Sequence, residues 1–133
     1  MSSFRIFDIA ASAMNAQSVR LSTIASNLAN AESVSGDPNT TYKPLMPVFQ
    51  AEANAPGGAG VEVQGVVQST TPPQKRYEPG HPLADPEGYI YAPAVSPVEE
   101  MVNMISAARS YQNSVEVLNT AKDLALKTIA MGK

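Results

Sequence analysis

Cysteine and tryptophan are absent from this 133-residue chain, and its aromatic residues amount to five Tyr and three Phe. Without cysteine there is no disulfide framework and no thiolate chemistry, which suits the cytosol and equally a protein that folds outside it without oxidative help. No stretch approaches the roughly 20 consecutive apolar residues of a membrane-spanning helix. The opening MSSFRIFDIAASAMNAQ is broken by Arg5 and Asp8, so a cleaved secretory signal is not expected. Nine Lys and Arg stand against twelve Asp and Glu, a net charge of −3, and they are scattered. Nucleic-acid binding by counterion release needs a basic face, and so does attraction to an anionic membrane; neither partner is expected.

Proline is missing from both ends. All eleven prolines lie between Pro38 and Pro97, and each flank instead carries an apolar repeat with alternating spacings of three and four. In the first flank it runs Phe7, Ala10, Met14, Leu21, Ile24, Leu28 and Ala31, with Gln17 as its polar member. In the second it runs Met101, Met104, Ala108, Tyr111, Val115, Leu118, Ala125 and Ile129, with Lys122 as the exception; Ile105 lies beside it. Such a narrow seam belongs to helices that pack lengthwise on partners. The core available to them is thin, because Ala and Val dominate the apolar content, so apolar surface is left for a partner.

The expected fold is mainly α with a small β-rich insertion, its long terminal helices pairing as a coiled coil around a proline-rich loop and β middle. We divide the chain into an N-terminal helix segment (1–32), a middle region (33–96) and a C-terminal helix segment (97–133). The first helix is expected from Ser3 to about Ala31. Residues 33–42 read as a turn-rich loop, and 43–52 as a short extended segment limited by Pro44 and Pro47. Val61–Gln68 alternates apolar and polar until Gly65 shifts the phase, the pattern of a strand with a bulge. Residues 69–84 read as loop and 88–91 as a short strand. Ser96 with Glu99 three residues later forms a capping box, Pro97 stands at the first helical position, and Gly132 closes a second helix that begins at Pro97.

Chemistry is sparse. His81, the single histidine, sits in the turn Pro79-Gly80-His81-Pro82 with Asp85 downstream. No second His or any Cys is available to complete a metal site, so a turn residue bonded to nearby backbone is the simpler reading. No nucleophile elbow and no phosphate-binding loop occurs: Gly57-Gly58-Ala59-Gly60 lacks the lysine and the helix that would follow. Glu99 and Glu100 are adjacent in a helical first turn, where the dipole accounts for them. No enzyme, cofactor, metal or small-molecule substrate is expected.

Two stretches go beyond generic pattern. Ser26-Asn27-Leu28-Ala29-Asn30-Ala31, followed by Tyr42-Lys43, resembles the signature of the flagellar rod and hook axial proteins. The second stretch is Pro79-Gly80-His81-Pro82-Leu83-Ala84-Asp85 with Gly88-Tyr89-Ile90, then Val98–Ile105, Arg109–Asn113, Val115–Asn119 and Ala125–Thr128. It resembles the proximal rod members of the same family. The resemblance implies a structural subunit of the bacterial flagellar basal-body rod. Such a subunit is exported from the cytoplasm by the flagellar type III apparatus and polymerises through its terminal helices into the tubular drive shaft, in the periplasmic space. Its partners would be copies of itself, other rod proteins and the ring at the rod base. Asn27 and Asn30 join the seam residues as candidate interface positions. A cytoplasmic helical adaptor using the same seams is the alternative reading.

Overall fold

The computed structural model of the chain describes residues 3–52 and 60–132. In chain order the elements are α1 (Ser3–Ala29), β1 (Leu45–Glu52), β2 (Gly60–Gln68), β3 (Gln74–Tyr77), β4 (Tyr89–Ala92) and α2 (Pro97–Met131). At 1.5 Å per residue, α1 is about 40 Å long and α2 about 52 Å. The mainly helical expectation holds, with two small strand pairs between the helices: β1 beside β2, and β3 antiparallel to β4.

Both ends of α2 fall where its capping residues stand. The N–H of Glu99 donates to Ser96 Oγ at 3.4 Å, and the N–H of Gly132 reaches the carbonyls of Thr128 and Ile129 at 3.2 Å. The first helix is shorter than expected by two residues. Its last turn tightens, with Ala31 N–H bonded to Leu28 O at 3.3 Å and Asn30 Nδ2 donating to Ser26 O at 2.8 Å. An asparagine side chain competing for the helix's own carbonyl is a stop signal in itself.

In β2 the half-buried Val61 and Val63 alternate with the exposed Glu62 and Gln64, and beyond Gly65 both Val66 and Val67 are exposed. Gly65 has φ 155°, at the position where the sequence pattern changes phase. The Gly-rich run 54–60 lies outside the described residues except for Gly60. One expectation fails: Gln74–Tyr77, read as loop, is a strand. Its four residues, Gln-Lys-Arg-Tyr, are all exposed, so no apolar alternation announces it. The ladder Gln74–Ala92, Lys75–Tyr91, Arg76–Ile90 and Tyr77–Tyr89 supplies the backbone partners.

The chain divides into two compact units. One is drawn from Met1–Leu21, Pro47–Gly65 and Ile105–Lys133. Its buried apolar side chains are the alanines Ala10, Ala16, Ala107 and Ala121, so its packing rests on close backbone approach rather than on large side chains. Ser12, half-buried on α1, ties the helix to β2: the Val61 N–H donates to its Oγ at 3.1 Å while that hydroxyl donates to Ile9 O at 2.8 Å.

The other unit is drawn from Ser22–Met46 and Val66–Met104. Its core holds Ile24, Ala31, Ile90, Ala92 and Pro93 together with buried Thr23, Asn27, Thr41 and Ser69. Ser35 and Tyr91 exchange backbone hydrogen bonds of 2.9 and 2.8 Å, which fasten the 33–42 loop to β4.

Candidate assembly surface

Within the second unit, Asn27 organises the end of α1. The residue is 4% exposed, and all of its side-chain polar atoms are bonded. Its Nδ2 donates to Leu45 O at 3.0 Å and to Glu100 Oε2 at 3.1 Å. Its Oδ1 accepts from Leu45 N–H at 2.8 Å and from Tyr42 OH at 2.9 Å. The carboxamide thus takes the place of a strand neighbour for Leu45 and joins the start of β1 to the first turn of α2. Ser26 Oγ lies 3.0 Å from Tyr42 OH, and Asn103 Nδ2 donates to Glu100 Oε1 at 3.4 Å. The motif around Asn27 therefore serves an internal clasp, in which Tyr42 of the aromatic-basic pair is a partner.

The second motif builds a rigid turn in the same unit. Asp85 Oδ1 accepts from the N–H groups of Glu87 at 3.0 Å and Tyr89 at 2.8 Å, and Oδ2 from Tyr91 OH at 3.3 Å. The bond from Tyr89 holds the Asp85 carboxyl below its ordinary value, with the Glu87 and Tyr91 bonds and the charge of Lys75 adding to it against a desolvation cost. Desolvation raises the Tyr91 hydroxyl in turn, and the neighbouring Asp85 adds to it. His81 Nδ1 accepts from Leu83 N–H at 3.1 Å, the backbone bond expected of a turn residue. Gly36 has no room for a side chain, since a Cβ there would stand 2.5 Å from Leu83 O. At Gly88 φ is 87°, and a Cβ would meet Pro79 and Tyr77 at 3.0 Å. Tyr77 and Tyr89 pack edge to face at 5.1 Å, with Lys75 Nζ 4.0 Å from the Tyr89 ring centre. Among the described residues, no group of three or more His, Cys, Asp or Glu side chains is placed to hold a metal ion.

On α1 the apolar repeat lies on the covered side. Ala10, Ile24 and Ala31 are buried, and Phe7, Met14, Leu21, Leu28 and Asn30 are half-buried. Gln17 is half-buried on the same side, and its Oε1 is enclosed without a hydrogen-bond partner.

On α2 the covered side is rotated from the sequence seam. Met104, Ala108, Tyr111, Val115, Leu118 and Ala125 are half-buried, whereas Met101, Ile105 and Ile129 are 54%, 58% and 65% exposed. The buried positions are Ala107 and Ala121. Alanine carries little hydrophobic signal, so a seam traced through larger residues passes over them.

Much apolar surface stays open. Val98, Met101 and Val102 stand exposed at the start of α2. In the first unit, the two helices line an apolar groove of about 500 Å³ bordered by Ile6, Val117, Ala121 and Leu124, with Asn113, Glu116 and Thr120 at its edge. Phe4, Ile129 and Met131 are exposed in the same unit, at 79%, 65% and 84%. No helix among the described residues is long and apolar enough to cross a membrane.

Two family models match the chain: one described as flagella basal body rod protein, over residues 7–36, and one described as flagellar basal body rod FlgEFG protein C-terminal, over residues 87–131. The chain is 53% identical to the flagellar basal-body rod protein FlgC of Escherichia coli O157:H7 and 53% identical to that of Salmonella typhimurium, with all of this chain and all of each relative covered. It is 40% identical to FlgC of Aquifex aeolicus, over all of this chain and 99% of the relative.

Proposed function

Because the chain belongs to the family of the flagellar basal-body rod protein FlgC and is a structural subunit of the proximal rod, not an enzyme, we propose that it polymerises through its terminal helices. In this reading segments 1–32 and 97–133 pair as a coiled coil with each other and with neighbouring subunits, and 33–96 contacts the surroundings. The partners are copies of itself and other rod proteins, the type III export apparatus before assembly, and the ring at the rod base. The assembled shaft stands in the periplasmic space and transmits torque, and the chain reaches it without a cleaved signal.

The carrying observation is the open apolar surface on helices whose buried apolar side chains, Ile24 apart, are alanines. Burying 1,000 Å² of it on a neighbour gains roughly 25 kcal/mol gross, offset by ordering the helices. Helices interlocked lengthwise spread torsional shear over many contacts. The test places a charge in either seam. Leu28→Asp or Val115→Asp is expected to remove motility and rod incorporation while the subunit still leaves the cell; a motile strain carrying either change overturns the packing.

A further inference from the structure

Among the described residues, Gln17 Oε1 is the enclosed side-chain polar atom that has no hydrogen-bond partner. Gln17 stands on α1 within the first unit, in line with Ala13 and Leu21 one turn away on either side, and all three are half-buried. Two half-buried hydroxyls of the same unit are bonded: Ser12 Oγ with Val61 N–H and Ile9 O, and Ser114 Oγ to Ser110 O at 3.0 Å. The unpaired acceptor is therefore particular to this position and not a general looseness of the unit.

Its weight depends on what the rest of the unit supplies. An enclosed acceptor without a donor shifts the equilibrium against the folded form by about 5- to 100-fold. A buried methyl group shifts it the other way by roughly fourfold. The fully buried apolar side chains of this unit are the four alanines Ala10, Ala16, Ala107 and Ala121, so one unpaired carboxamide oxygen offsets on the order of one to three of their methyls. Turning the carboxamide out to water frees the atom but opens the seam where its stem lay, so neither arrangement is without cost. An apolar side chain of similar length at 17 would carry neither cost.

From this we infer that Gln17 is a built-in weakness of the first unit: it holds the helix pair of a single chain below independent stability, so that the pair becomes ordered together with a neighbouring copy. The inference rests on the reading that the chain polymerises through its terminal helices. Covering the apolar groove bordered by Ile6, Val117 and Leu124 then supplies the burial that the alanines of one chain do not, and order in these helices is coupled to docking. Gln17 thereby separates a subunit that waits from one that is seated, without touching the neighbour itself.

The test is made on isolated full-length chains. Gln17→Leu and Gln17→Met are purified, and amide hydrogen exchange across residues 10–21 is compared with that of the unsubstituted chain. Both variants are expected to slow exchange by about 5- to 100-fold, since protection follows the opening equilibrium. Asn15→Leu is the control: Asn15 is exposed on the same helix, so the variant adds the same side chain without relieving an enclosed atom, and its exchange should stay within about twofold of the unsubstituted chain. Unchanged exchange in both position-17 variants overturns the proposal, and so does an equal slowing by Asn15→Leu. Either result leaves the polymerisation reading standing, whereas a motile Leu28→Asp strain overturns that reading and leaves this measurement untouched.

Discussion

Asn27 and Leu45 bond to each other twice, through Nδ2 to the Leu45 carbonyl at 3.0 Å and through Oδ1 from the Leu45 N–H at 2.8 Å. A carboxamide is the side chain that supplies one donor and one acceptor side by side, as a strand neighbour would. Replacing it with Asp removes the donors and sets a carboxylate against Leu45 O and Glu100. Asn27→Asp is expected to destabilise the folded chain by about 2–4 kcal/mol, and Asn27→Ala by about 1–3 kcal/mol. Urea unfolding followed through tyrosine fluorescence checks the order, Asp worse than Ala. An unchanged midpoint for both variants removes the clasp from the fold's energetics.

Gly36 and Gly80 separate a packed glycine from a free one. A Cβ at 36 collides with Leu83 O, whereas one at 80 meets nothing within 4 Å. Gly36→Ala should cost about 1–3 kcal/mol as the two loops move apart, and Gly80→Ala should stay within about 0.5 kcal/mol. Thermal melts of the pair decide it; equal losses at both positions contradict the close approach.

Acid should loosen the turn around Asp85. Its carboxyl titrates below the ordinary carboxylate value in the folded chain because Tyr89 N–H, Glu87 N–H and Tyr91 OH bond to the ionised form. A depressed acid contributes stability that is fully present above its unfolded value and is lost as the pH falls through the folded value. The loss therefore belongs below about pH 4, and neutral conditions leave it intact. Asp85→Asn, which keeps the acceptor Oδ1 without a charge, is expected to flatten this part of the stability profile. An identical acid slope in the two proteins would assign the effect to another carboxylate.

Ser12 offers a local test on the first unit. Its Oγ accepts from Val61 N–H and donates to Ile9 O. Ser12→Ala leaves a strand N–H without that partner, so β2 should exchange its Val61 amide faster, by about tenfold for each 1.4 kcal/mol lost. Site-resolved hydrogen exchange reads this; retained protection at Val61 shows that the hydroxyl is not needed.

Both helices could be placed from local chemistry because their signals are local. Periodicity runs through α1 and α2, and Ser96, Pro97 and Gly132 mark α2 to the residue. The flagellar motifs were legible as well, though not their use: Asn27 and Asn30 read as interface positions, while the folded chain spends Asn27 on Leu45, Tyr42 and Glu100. Strand β3 could not be read, since Gln-Lys-Arg-Tyr has no apolar face and depends on β4 for its ladder. The inward side of α2 escaped for a related reason, because the residues that approach most closely there are alanines.

Local preference along the chain was enough to place both helices, the ends of α2 and the 33–42 turns, and to exclude cysteine chemistry, since each depends on residues within a few positions of one another. Tertiary contact settled which side of α2 is covered, where Asn27 finds its four partners, and why Gly36 has to be glycine. Those outcomes join groups up to 73 positions apart, as in Asn27 with Glu100, and no spacing in one dimension encodes a distance in three.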